Sequence, residues 1–134
     1  LELKRWGEFL NIKINQKPKF FPPKDPHTPT LFCLASIDMG IKMHFGFKVL
    51  EQLWAQENDI SNLETLKLIA NDLKINFEDL SKLAMSDKIK KIYETNTQEA
   101  INMNIFGVPT YIYNNEMFWG QDRLELLEYS LKKN

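Results

Sequence analysis

Asn104-Ile-Phe-Gly-Val-Pro-Thr-Tyr-Ile-Tyr113, followed directly by Asn114-Asn-Glu-Met-Phe-Trp-Gly-Gln-Asp-Arg123, decides how the rest of this chain is read. Proline cannot donate to a strand ladder, so Pro109 belongs at the entrance of a strand, reached through Gly107 and Val108, where a cis prolyl bond is affordable. Asn114-Asn115 is a two-residue turn that tolerates positive φ, and Glu116 to Trp119 forms the returning strand. A helix opens near Gly120. The reading is a β-hairpin feeding a helix.

Each part offers something to a ligand. An outward-facing Val108 peptide can pair with an extended peptide by strand addition. The first amides of the helix after Gly120 have no intrahelical partner and can receive a carboxylate. Asp122, in the same turn, suits the helix dipole and can hold an ammonium group. Together these make a place for a small peptide.

Working back along the chain, Leu3, Trp6 and Leu10 share a helical face that should end near Asn11. Lys17 to Pro29 is proline-rich and reads as an extended connector pinned by Phe20 and Phe21. Thr28-Pro29 looks like a helix start, cap then proline, and Gly40 ends that helix. A segment from Ile41 carries Phe45, Val49, Leu50, Leu53 and Trp54 at helical spacing until Asn58-Asp59. Ser61 with Glu64 has the capping-box pattern before Leu63, Leu66, Ile69 and Leu73. Asn76 caps a short helix with Phe77, Leu80 and Leu83. Ser86 or Asp87 opens another with Ile89, Ile92, Tyr93, Ala100 and Ile101. Leu124, Leu127 and Leu131 line the last helix, whose end carries Lys132 and Lys133, where positive charge suits the dipole. The sheet is thus confined to the hairpin, and a two-stranded hairpin alone is marginal in water.

The 134 residues, 43% hydrophobic and 26% charged, have an ordinary globular composition. Seventeen basic against eighteen acidic side chains leave a net charge of -1 with no basic stripe, which argues against nucleic acid or anionic membrane as partner. No apolar run reaches membrane-span length. Cys33 is the single cysteine, so these residues hold no internal disulfide, no Cys-x-x-Cys and no thiolate metal site, and a reducing, cytoplasmic setting fits. Cys33 itself reads as a small buried hydrophobe. His27 and His44 have no second ligand nearby in sequence and read as structural or surface residues. Leu1 is not a methionine and lands in a helical pattern, so the natural start is expected upstream, with a signal peptide neither seen nor excluded.

Gly107-Val-Pro-Thr110 with Phe118-Trp-Gly-Gln-Asp-Arg123, and Leu53-Trp54 and Asn58-Asp-Ile60 upstream, resemble the 2-hydroxychromene-2-carboxylate isomerases, relatives of the kappa-class glutathione transferases. The similarity runs from about Trp6 to Leu131. It implies an α/β thioredoxin-like fold of the DsbA/kappa type with an all-helical insertion. Residues 1–103 would be helical insertion and 104–134 the closing strand-strand-helix unit. The family's preceding strand-helix-strand segment has no counterpart here, so the chain reads as the C-terminal part of a longer protein.

The resemblance implies glutathione as cofactor, bound by Val108 and Pro109 at its cysteinyl unit and by Trp119, Gly120, Gln121 and Asp122 at its γ-glutamyl end. Trp119 also reads as a packing residue, and Arg123 as a support for its neighbours. The implied reaction is cis-trans isomerisation of a 2-hydroxychromene-2-carboxylate-like compound, a small molecule derived from an aromatic ring. In it the thiolate adds to a conjugated double bond, a single bond rotates and the thiol leaves. No residue of this chain matches the family's thiol-contacting serine, so no catalytic side chain is assigned, and no metal ligand set is present. A kappa-class glutathione transferase, a DsbA-type thiol-disulfide oxidoreductase and an inactive truncated binding protein stay open as alternatives, as does a homodimer. Gln121 leans toward the isomerase.

Overall fold

The computed structural model describes residues 1–133. Its chain order is α1 (Glu2–Leu10), α2 (His27–Asp38), α3 (His44–Trp54), α4 (Leu63–Asp72), α5 (Phe77–Ala84), α6 (Asp87–Asn102), β1 (Thr110–Tyr113), β2 (Glu116–Trp119), a 3-10 turn (Gln121–Arg123) and α7 (Leu124–Lys133). The chain divides into two compact units between Glu94 and Thr95, inside α6. No helix among the described residues is long and apolar enough to cross a membrane.

The first unit is helical and centred on α2, which packs on α3 and α5, while α4 packs on α3 and α5. Phe32 is fully buried and stacks on Phe45 at 6.4 Å and Phe77 at 5.8 Å. Leu66, Ile69, Leu80 and Ile89 are the other large apolar side chains fully buried with Phe32 and Phe45. Because α2 is enclosed by helices on more than one side, its apolar residues run round it rather than along a single stripe, with Leu31, Cys33 and Leu34 also packed on the core. The buried Ser36 hydroxyl is satisfied by donating to the Cys33 carbonyl at 2.7 Å.

Helix ends show where local sequence rules held. Asn11 leaves α1 in the left-handed conformation at φ 52. Asn76 caps α5, its side chain accepting from the Asp79 amide at 3.0 Å. Three starts in this unit differ from the sequence expectation. α2 begins at His27, ahead of Thr28-Pro29, because the Asp25 carboxylate accepts from the amides of both His27 (2.9 Å) and Thr28 (3.2 Å). The cap of α4 is Asn62 instead of Ser61, its side chain accepting from the Glu64 amide at 3.0 Å. Ser61 is committed elsewhere: its hydroxyl receives the Asp25 amide at 2.9 Å and faces the Asp25 carbonyl at 3.2 Å.

α3 likewise starts at His44 rather than Ile41, because Gly40 (φ 85) and Lys42 (φ 59) make a turn first. It ends at Trp54, before Asn58-Asp59, and Glu57 (φ 56) continues the turn beyond it. Phe45, Val49 and Leu53 are its buried face, whereas Leu50 is exposed and Trp54 only partly covered.

In the second unit β1 and β2 form a two-stranded antiparallel sheet with Thr110 opposite Trp119 and Tyr113 opposite Glu116. The turn residues Asn114 and Asn115 sit at φ 49 and 63, as a two-residue hairpin of this hand requires. α7 packs on both strands. No described residue of β1, β2 or α7 is fully buried, so this sheet and helix present apolar side chains, among them Ile112, Met117 and Leu126, to their surroundings.

Candidate functional site

The Gly107–Thr110 and Phe118–Arg123 halves of the hairpin motif are joined by the backbone. The Gly120 amide donates to the Pro109 carbonyl at 3.0 Å, extending the hairpin by one bond beyond the Thr110–Trp119 pair. Pro109 thus stands at the mouth of β1 and Gly120 at the exit of β2, side by side. The Val108-Pro109 bond is cis, and the Thr110 hydroxyl donates to the Gly107 carbonyl across it at 2.5 Å.

Val108 is 89% exposed, and neither its amide nor its carbonyl takes a hydrogen bond among the described residues. An unpaired peptide unit at a strand entrance is what an extended ligand needs. Behind it, Gly107 is required by close approach: a Cβ there would stand 2.7 Å from Trp119 Nε1. Trp119 lies across that glycine with Phe106 edge-on to it at 5.1 Å, and still leaves about half its surface, 52%, exposed. Its observed role is to floor the turn.

Gly120 has φ 109 and ψ 152, a region open to glycine alone in practice. The chain then makes a single 3-10 turn before α7, so the helix opening foreseen near Gly120 is tighter than an α-helical start. The Arg123 amide closes that turn on the Gly120 carbonyl at 3.3 Å, leaving the amides of Gln121 and Asp122 without a partner among the described residues. The Asp122 carboxylate folds back over Gly120 and is held by Arg123 Nη1 at 2.9 Å, both side chains about half exposed. Arg123 is thus paired with its neighbour Asp122. Gln121 is exposed.

The other candidates behave as surface or core residues. His44 is exposed with Nδ1 3.0 Å from the Ile41 carbonyl, and His27 is exposed with its ring edge-on to Tyr93. Burial pushes the Cys33 thiol up to about 11, the reverse of what a nucleophile needs. Among the described residues no group of three His, Cys, Asp or Glu side chains could hold a metal ion.

A feature not foreseen from the sequence lies in the first unit. Two apolar cavities, of about 500 and 380 Å³, flank α3 and share Phe47 and Leu50 as walls. The signal was there: Met43, Phe47, Leu50 and Trp54 repeat at helical spacing and form a second apolar stripe beside the buried one.

Comparison with known proteins places these features in context. The profile of the DSBA-like thioredoxin domain matches residues 1–132. A 2-hydroxychromene-2-carboxylate isomerase of Pseudomonas sp. (strain C18) is 28% identical over 132 residues, covering 96% of this chain and 58% of the relative. One from Pseudomonas putida is 32% identical over 84 residues, covering 62% of this chain and 41% of the relative. This chain therefore spans about half the length of the curated relatives it matches. A solved structure of a 2-hydroxychromene-2-carboxylate isomerase superposes with a TM-score of 0.76 at 21% identity, covering 98% of this chain and 63% of the other. The likeness in fold extends over both compact units.

Proposed function

Because the chain belongs to the DSBA-like thioredoxin-domain family, we propose that it serves a glutathione-dependent cis-trans isomerase acting on a 2-hydroxychromene-2-carboxylate-like compound. The observation that carries this reading is the pairing of Gly120 with Pro109, which sets an unpaired Val108 peptide beside a strand exit whose next two amides are also unpaired. The sequence likeness to two proteins named for that activity supports it from outside.

In this proposal Val108 offers its amide and carbonyl to the cysteinyl unit of the tripeptide, and Pro109 keeps that segment from pairing inside the sheet. Trp119 and Gly120 shape the floor, and the amides of Gln121 and Asp122 receive the γ-glutamyl carboxylate. The Asp122 carboxylate, steadied by Arg123, holds the γ-glutamyl ammonium. When bound, glutathione supplies a thiolate that adds to a conjugated double bond and departs once the resulting single bond has rotated. The chain's own contribution is placement, which limits how far that thiol can wander from the reacting carbon. We assign residues 1–103 to the helical insertion, 104–134 to the closing unit, and a reducing compartment to the whole. Cys33 takes no part, since its thiol is held protonated by burial.

Titration calorimetry with reduced glutathione tests the site. Saturable binding is expected, with Asp122→Ala weakening it about tenfold or more through loss of a charge-assisted pair. A chain that binds no glutathione, or a variant with unchanged affinity, would remove the basis for this assignment. Isomerisation of 2-hydroxychromene-2-carboxylate, followed by its absorbance, tests the substrate class.

A further inference from the structure

The Val108 N–H is one end of a peptide plane whose other end is the Gly107 carbonyl. Across a trans peptide the two groups point in opposite directions, so fixing one aims the other. Little else holds this plane. Gly107 has no Cβ, because one would stand 2.7 Å from Trp119 Nε1, and a glycine imposed by that close approach leaves the plane free to turn. The Val108 side chain, 89% exposed, makes no packing that would restrain it. The grip comes from the carbonyl end, where the Thr110 hydroxyl donates to Gly107 at 2.5 Å in a partly shielded bond.

Thr110 can supply that grip because it is itself held. It opens β1, and its pairing with Trp119 ties its backbone into the sheet. The Gly120 amide fixes the Pro109 carbonyl at 3.0 Å, so the turn is anchored at Gly107 and again at Pro109, with the Val108 N–H between them left without a partner among the described residues. An amide already held in its bound direction loses less freedom when a ligand arrives. We propose that Thr110 is a positioning residue: by holding the Gly107 carbonyl, its hydroxyl keeps the Val108 N–H aimed away from Thr110 and toward the carbonyl of an extended ligand backbone. That this ligand is glutathione rests on the function proposed above; the aiming of the N–H does not.

Two variants separate the hydroxyl from the shape of the side chain. Thr110→Val keeps the branched form that suits a strand and removes the hydroxyl, whereas Thr110→Ser keeps the hydroxyl and removes the methyl. In calorimetry with reduced glutathione, Thr110→Val should weaken binding about threefold to tenfold, the worth of one ordinary hydrogen bond, and Thr110→Ser less than about twofold. In NMR without ligand, the residual dipolar coupling of the Val108 N–H should move in Thr110→Val and hold its parent value in Thr110→Ser. Those of Tyr111, Met117 and Phe118, inside the hairpin ladder, should hold in both. A Val108 coupling unmoved in Thr110→Val, couplings displaced along the whole hairpin, or equal affinities of the two variants would overturn the proposal. A parent chain that binds no glutathione would count instead against the function reading, and the Val108 coupling would then decide the role of Thr110 by itself.

Discussion

Replacing Gly120 by alanine probes the exit of β2, and its cost can be apportioned in advance. Two effects compete. The new Cβ would stand 2.5 Å from Asp122 Oδ1, closer than such contacts allow. That oxygen, however, is the tip of a side chain 55% exposed and tied, among the described residues, to Arg123 alone, so swinging it aside forfeits at most an exposed ion pair, about 0–1 kcal/mol. The backbone has no such escape. With φ at 109 and ψ at 152, an L-residue sits in a region that costs about 1–3 kcal/mol. The backbone therefore dominates, and Gly120→Ala should destabilise the hairpin unit by about 1–4 kcal/mol. Urea unfolding followed by Trp119 fluorescence, with Trp6 and Trp54 changed to phenylalanine, reports that unit. Adding Asp122→Ala to the Gly120→Ala chain separates the causes: no more than about 1 kcal/mol should return. Full recovery in the double variant would refute the reasoning, as would a single variant within about 0.5 kcal/mol of the parent, the range of an inconsequential surface change.

Three further outcomes follow from the first unit. Phe32→Ala should cost about 3–5 kcal/mol in chemical denaturation, because the ring is fully buried between two others, and a loss below about 1 kcal/mol would contradict the packing described. Hydrogen bonds from Thr28 hold the Asp25 carboxyl below its ordinary 3.8, so its contribution to stability is complete above that value and fades as pH falls through the lower folded one. Asp25→Ala should thus cost about 1 kcal/mol at neutral pH, a gap that closes in acid; a gap that persists there would contradict the assignment. Raising the Cys33 pKa from 9.0 to about 11 cuts its thiolate fraction about a hundredfold, so iodoacetamide should react far more slowly than with free cysteine at neutral pH, and equal rates would show the thiol to be open and ordinary.

Much of this was legible because it is local. Asn114-Asn115 dictated the hairpin, Asn76 a cap, Asn11 a helix end, and Gly107-Val108-Pro109 the approach to β1, each through the allowed dihedrals of a few residues. What escaped was set at a distance. Ser61 looked like a cap until the connector claimed its hydroxyl, and Thr28 looked like one until Asp25, three residues earlier, took the amides of His27 and Thr28 and started the helix ahead of it. The exposed stripe of α3 escaped for a related reason: Leu50 and Trp54 repeat as regularly as Val49 and Leu53, and periodicity alone does not say which of two adjoining apolar faces other helices will cover. At the hairpin the motif disclosed a strand entrance and a helix start, but only coordinates could show that Gly120 and Pro109 share a bond.

The stitch between Asp25 and Ser61 also has a bearing on the order of assembly. Its partners are separated by 36 positions, with α2 and α3 lying between them, so neither helix can make it alone. Contacts of such long span carry a loop-closure penalty and form late. Exchange protection at the Asp25 amide during refolding would therefore act as a clock for topology, lagging behind amides inside α2, which record only helix formation.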